Sequence, residues 1–270
     1  MKKLYTQSLV RLKNQEFIHV IIVTMVVVML IAVTGSRLQA QTDNSTGVKV
    51  WAVPGEQKVR PDDKAETSNL VWSAEKKQVT IAGAGNEHVP FQVVISTPVP
   101  PGWRPKAPDG FFVRASELKS AQGKVIPQQN VKLYLEHYIQ IYAVSSPVGA
   151  TGYWPDALAP LSEPFSFQAQ YIVVGNRPVW IDVFIPSGTP KGLYSGTVTV
   201  ERFGKVIETI GVNLEVYGFS LPDETHLITY MNISKGEVSR FYRSQGSSPA
   251  TEDLLQSYFD FLFDHRMETW

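Results

Sequence analysis

From Val48 to Ser220 apolar residues recur at every second position rather than every third or fourth. That period puts alternate side chains on opposite faces of an extended strand. In PVWIDVFIP, Val179, Ile181, Val183 and Ile185 share one face and Trp180, Asp182 and Phe184 the other. In GVNLEVYGF, Val212, Leu214 and Val216 oppose Asn213, Glu215 and Tyr217. YSGTVTVERFGKVIETIGV reads as two strands joined by a tight turn at Gly204, and NEHVPFQVVIST, FFVRASEL and NVKLYLEHYIQIY add further strand-like runs. Turn clusters separate them: TPVPPGWRPKAPDG, SSPVGATG and PSGTPKG. Short alternating strands between Pro/Gly turns predict an antiparallel β-sandwich whose sheets each have one buried and one wet face. No long helix is expected between 48 and 220, and no repeat of fixed period is visible.

The pattern changes after Leu221. Pro222 ends the strand run, THLITYMNIS offers one short strand, and SSPATEDLLQSYFDFLFDHRMETW begins with a helix-start signal. Ser248 is the expected N-cap, Pro249 the first helical residue, and Glu252 and Asp253 suit the positive end of the helix dipole. Leu254, Leu255, Tyr258, Phe259, Leu262 and Phe263 form one apolar stripe that needs a partner surface. Strand, loop and amphipathic helix make the first unit of a β/α structure, and a (β/α)8 barrel takes about 250 residues. The expectation is therefore a mainly β chain, with an antiparallel sandwich over residues 41–224 and the first βα unit of a truncated barrel over 225–270. The alternative is that the helix packs on the sandwich and the chain is complete.

Charge adds a third segment. Residues 1–40 carry five Lys/Arg and one acid, leaving 20 basic and 24 acidic residues in 41–270. The apolar run FIHVIIVTMVVVMLIAV follows the basic start, and Leu38-Gln39-Ala40 resembles a cleavage site. This order describes a signal peptide, or an anchor if uncleaved. Residues 41–270 are then exported: secreted, periplasmic or on the cell surface, and any membrane contact is through the N-terminal segment alone. The slightly acidic remainder gives no basic patch for nucleic acid. The absence of cysteine excludes disulfides, thiol catalysis and zinc-thiolate sites.

Several stretches in order (VWAVPGEQKVRPDD, GNEHVPFQVVIS, YWPDALAPL, PVWIDVFIPSGTPKGLYSGTVTV, LEVYGFSLPDETHLIT and the terminal DHRMETW) resemble the N-terminal part of bacterial proteins related to glycoside hydrolase family 123. The resemblance covers about Val48 to Trp270. It implies a sandwich followed by a catalytic barrel, and activity like that of an exo-acting β-N-acetylgalactosaminidase. Catalysis there is substrate-assisted, an exception to the two-carboxylate scheme: the acetamido oxygen attacks, an Asp orients it, and an adjacent Glu is the acid/base. That Asp-Glu pair is expected beyond residue 270, so this chain is expected to hold no catalytic residue, to need no cofactor or metal, and to be inactive alone.

Substrate contacts are another matter. Trp154 could stack on a sugar face while Asp156 accepts hydroxyl hydrogen bonds. Asn232, near the end of the expected barrel strand, and Arg240, in the loop after it, could line the active-site mouth. Asp223-Glu224 reads as solvated linker charge, and His265-Arg266 as cations at a helix C-terminus. The five histidines show no metal-ligand spacing. A glycan is the expected partner. The rival is a non-enzymatic exported sandwich that binds glycan or a surface protein.

Overall fold

The computed structural model describes residues 47–98, 110–147, 149–169, 172–173, 175–224, 226, 229, 231, 233–244, 246, 248 and 251–267. The apolar run at 17–33, Trp103, Tyr230 and Asn232 lie outside them, as does most of the expected barrel strand. Among the described residues no helix is long and apolar enough to cross a membrane.

The strands form two packed sheets. The first has the spatial order β1 (Lys49–Pro54), β4 (Glu87–Ser96), β12 (Asn176–Ile185), β8 (Val131–Ile141), β9 (Gly152–Pro160), all antiparallel. The second runs β2 (Trp72–Ser73), β3 (Gln78–Gly85), β14 (Lys205–Ser220), β13 (Gly192–Arg202), β6 (Leu118–Ser120), β7 (Val125–Ile126), with β5 (Phe111–Ala115) also on β13. A ribbon of β10 (Gln168–Ala169) and β11 (Ile172–Val173) stands apart.

The core is the set of inner faces read from the alternation. Val179, Ile181, Val183 and Ile185 pack with Val212, Leu214 and Val216, all at most 3% exposed. Phe91, Val93 and Ile95 from β4 and Tyr194, Val198 and Val200 from β13 complete the layer. The β13–β14 hairpin turns at Phe203 and Gly204, both left-handed at φ 50° and 75°, which matches the strand twist as a primed turn does.

Two expectations are corrected. The second sheet is mixed, because β3 pairs with β14 in parallel. Alternation shows which face a residue occupies but not which strand lies beside it, and a parallel pair is made by a distant stretch of chain. The first sheet, moreover, is dry over part of its outer side. Gln92 and Val94 are fully buried there, under the segment that follows β1. Gln92 Nε2 donates to the carbonyls of Gly55 (2.8 Å) and Gln57 (2.7 Å), Tyr138 Oη to that of Val59 (3.0 Å), and Asn176 Nδ2 to those of Arg60 (2.8 Å) and Asp63 (2.9 Å). Polar side chains on the covered face thus satisfy a strap of irregular backbone that could not otherwise be buried. Gly55 allows the approach: a Cβ there would sit 2.8 Å from Pro90 Cγ.

Two helices follow, α1 (Lys235–Ser244) and α2 (Glu252–Asp264). α1 was expected to be loop; Ser234 Oγ caps it by accepting from Glu237 N at 3.1 Å. α2 starts three residues later than expected, with Thr251, not Ser248, accepting from Leu254 N at 3.2 Å. It ends in a Schellman turn, Met267 N to Leu262 O (2.8 Å) and Arg266 N to Phe263 O (2.9 Å), with Arg266 left-handed at φ 59°. A strand–helix barrel unit is not evident in the described residues.

Candidate functional site

The stretch YWPDALAPL is a strand, β9, not a loop. Its register with β8 slips between His137 and Tyr138, so Asp156 is the extra residue of a bulge and is exposed. Trp154 is half-buried; its indole N–H donates to Ala150 O (2.9 Å), and the Arg60 guanidinium lies over the ring at 4.8 Å. One ring face is therefore already occupied by a cation. Next to the bulge Glu136 is buried, with Oε2 lacking a hydrogen-bond partner. Burial pushes its carboxyl up to about 7; Lys58 opposes the rise and Asp156 adds to it. On the inner side Arg177 is also buried, Nε and Nη1 without partners, and burial lowers its guanidinium to about 10. Burial, then Arg177, lowers the His137 imidazole.

A second polar cluster lies where the end of α2 meets the outer face of the first sheet. Asp182 is the outward residue of β12, and His88 on β4 is its diagonal neighbour. His88 Nδ1 lies 2.8 Å from Asp182 Oδ2, and His265 Nε2, from the C-cap of α2, lies 3.9 Å from the same oxygen. The two imidazoles stack at 4.6 Å, while Phe184 flanks His88 at 4.8 Å and Phe261 flanks His265 at 4.4 Å. Arg266 donates to Pro222 O (2.5 Å) and Asn86 O (2.9 Å), and Asn86 Nδ2 donates to Asp223 Oδ1 (2.8 Å). Beside them is a cleft of about 370 Å³ that includes Lys132, Asp223 and Arg266 in its lining.

Trp154 and Asp156 share β9, whereas Arg240 is exposed on α1, a helix rather than the expected loop. Asp223 is a hydrogen-bond acceptor in the seam as well as a linker charge. The histidine pair was invisible to spacing, since 88 and 265 are brought together only by the docking of α2. The sole hint was His265 at a helix end, which reads equally well as dipole compensation.

A family model described as the glycoside hydrolase 123 N-terminal domain matches residues 68–202. The chain belongs to that family. The match begins just before β2 and ends with β13, so family 123 N-terminal sequence accounts for most of the sandwich. A family 123 glycoside hydrolase from Clostridium perfringens, studied for the details of glycolipid glycan hydrolysis, superposes with a TM-score of 0.54 at 17% identity. The superposition covers 80% of this chain and 35% of that enzyme, so the chain spans about a third of its length. At that identity the likeness concerns the fold. The N-terminal domain of PorA (TM-score 0.29, 10% identity, 64% of this chain and 100% of that one) and the self-complemented fimbrial subunit MyfA from Yersinia enterocolitica (0.25, 15%, 52% and 91%) are too remote to carry an argument. No curated protein matches.

Proposed function

We propose that this chain is the N-terminal sandwich portion of an exported glycoside hydrolase acting on N-acetylhexosamine-containing glycans, and that it does not hydrolyse them alone. The family match over residues 68–202 carries the reading. The limited share of the Clostridium enzyme that the chain covers supports placing the chemistry elsewhere in a longer product. The basic-then-apolar order of residues 1–40 supports export. The β9 edge is the proposed glycan-facing surface, where Trp154 is partly accessible and Asp156 is an exposed acceptor; Arg240 and Asn232 are proposed as separate contacts at the mouth of the active site.

The test is hydrolysis of an aryl N-acetyl-β-galactosaminide by this chain and by the gene product isolated from its source. Turnover is expected from the product only. If the product turns over no N-acetylhexosaminide, the reading fails. In an active product, Trp154→Ala and Asp156→Ala should raise KM and leave kcat nearly unchanged, the mark of lost uniform binding.

A further inference from the structure

The His88–Asp182–His265 cluster holds two nitrogen ligands and one oxygen ligand within 4.8 Å of one another, around a buried carboxylate. His265 Nδ1 lies 2.8 Å from the Phe261 carbonyl, and only an N–H can face a carbonyl at that distance. Nε2, the other ring nitrogen, lies 3.9 Å from the Asp182 carboxylate oxygen. The seam thus brings a second ring nitrogen near the buried Asp182 carboxylate. A ring nitrogen tied back to a carbonyl while the other faces outward is also how metal-bound histidines are oriented.

We propose that this cluster is a binding site for a divalent transition-metal ion of the zinc class, with His88 Nδ1, Asp182 Oδ2 and His265 Nε2 as ligands. Imidazole with carboxylate suits such ions better than calcium or magnesium, which prefer oxygen alone. Zinc bonds of about 2.0–2.2 Å place tetrahedral ligands about 3.4 Å apart. The separations from Asp182 Oδ2, 2.8 and 3.9 Å, bracket that value, and closing the set takes a turn of His265 out of its stack on His88. The ion replaces the hydrogen between His88 Nδ1 and Asp182, which moves to Nε2 of the same ring. Phe184 and Phe261 flank the two imidazoles, and His88 lines the cleft beside them. The cleft's two cations, Lys132 and Arg266, are offset by Asp223 and Asp264. The bound ion fastens α2 to the sheet, because its ligands come from β4, β12 and the end of the helix. This site is independent of the hydrolase reading.

The full chain, stripped of metal with a chelator, is titrated with Zn²⁺ by calorimetry and with Co²⁺ by visible absorption. A single saturable equivalent is expected, with Co²⁺ bands of a low-coordinate N/O site. His88→Gln, Asp182→Asn and His265→Gln should each weaken binding by more than about 100-fold, beyond the range seen on losing an outer-shell partner. His226→Gln, an exposed histidine outside the cluster, should leave it unchanged. His265→Gln lies at a helix end outside the sandwich core, so its circular dichroism should match the parent. No saturable binding by the parent chain, or equal binding by His88→Gln and His265→Gln, overturns the proposal and leaves a His–Asp–His hydrogen-bonded seam.

Discussion

The sandwich and the two C-terminal helices answer the same physical demand in opposite ways. In the sandwich the alternating strands supply each other's partners, and Phe91, Ile181, Val200 and Leu214 are fully buried. Along α2 only Leu262 is buried, while Phe261 and Phe263 remain about half exposed at 52% and 53%. α1 is similar, with Phe241 60% exposed. Among the described residues the apolar stripe of α2 is only partly covered, with Leu254, Leu255, Tyr258 and Phe259 half-buried. Among the described residues, polar groups tie the end of α2 to the sheet: the His88–Asp182–His265 cluster and the Arg266 guanidinium. A periodic pattern thus becomes a core only where a second matching surface exists.

The sharpest way to break this contrast is to cut the sandwich. Phe91→Ala should lower the stability of unfolding by about 3–5 kcal/mol, read from urea midpoints. Leu262→Ala should leave the same midpoint almost unmoved, because α2 can release locally without opening the sheets. Equal losses from both would show that the helices and sheets unfold as one unit.

Glu136 tests the cost of the polar groups that the sandwich buries. Its folded carboxyl holds a proton up to about 7, whereas the ordinary group releases it near 4.5. Below the lower value both states are protonated and nothing is lost. As pH rises through the window the unfolded state ionises first, so stability falls and then levels off above about 7. Glu136→Gln should flatten that slope and be more stable than the parent above about pH 7 by on the order of 3 kcal/mol. Midpoints measured at both ends of the window decide it.

Smaller effects belong to single hydrogen bonds. Gln92→Ala removes the donor that holds the Gly55–Gln57 strap on the outer face, and about 1–3 kcal/mol should be lost with the stranded carbonyls. Faster amide exchange should follow in residues 55–63 while β13 and β14 stay protected. Thr251→Ala should cost α2 about 1 kcal/mol, seen as reduced helical ellipticity with no change in the sandwich midpoint.

The alternation in PVWIDVFIP and GVNLEVYGF was enough to place Val179, Ile181, Val183, Val212, Leu214 and Val216 in the core, because side-chain direction along a strand is local geometry. Gly204 was legible as a turn for the same reason. α1 was missed because KGEVSRFYRS has low apolar content and its cap, Ser234, falls inside the stretch read as strand. The N-cap of α2 was misplaced because Ser248-Pro249 and Thr251 are both acceptable starts, and propensity alone does not rank them.

By itself, then, the sequence determined the strand faces, the sandwich core, the tight hairpin, the existence of an apolar helix near the C-terminus and the resemblance to family 123. The tertiary structure alone decided the parallel β3–β14 pair, the strap over the outer face, the bulge that exposes Asp156 beside buried Glu136, and the meeting of His88, Asp182 and His265. The division has a physical cause. Periodicity and turn chemistry act between residues a few positions apart, whereas these other features depend on which distant segments come to lie against each other.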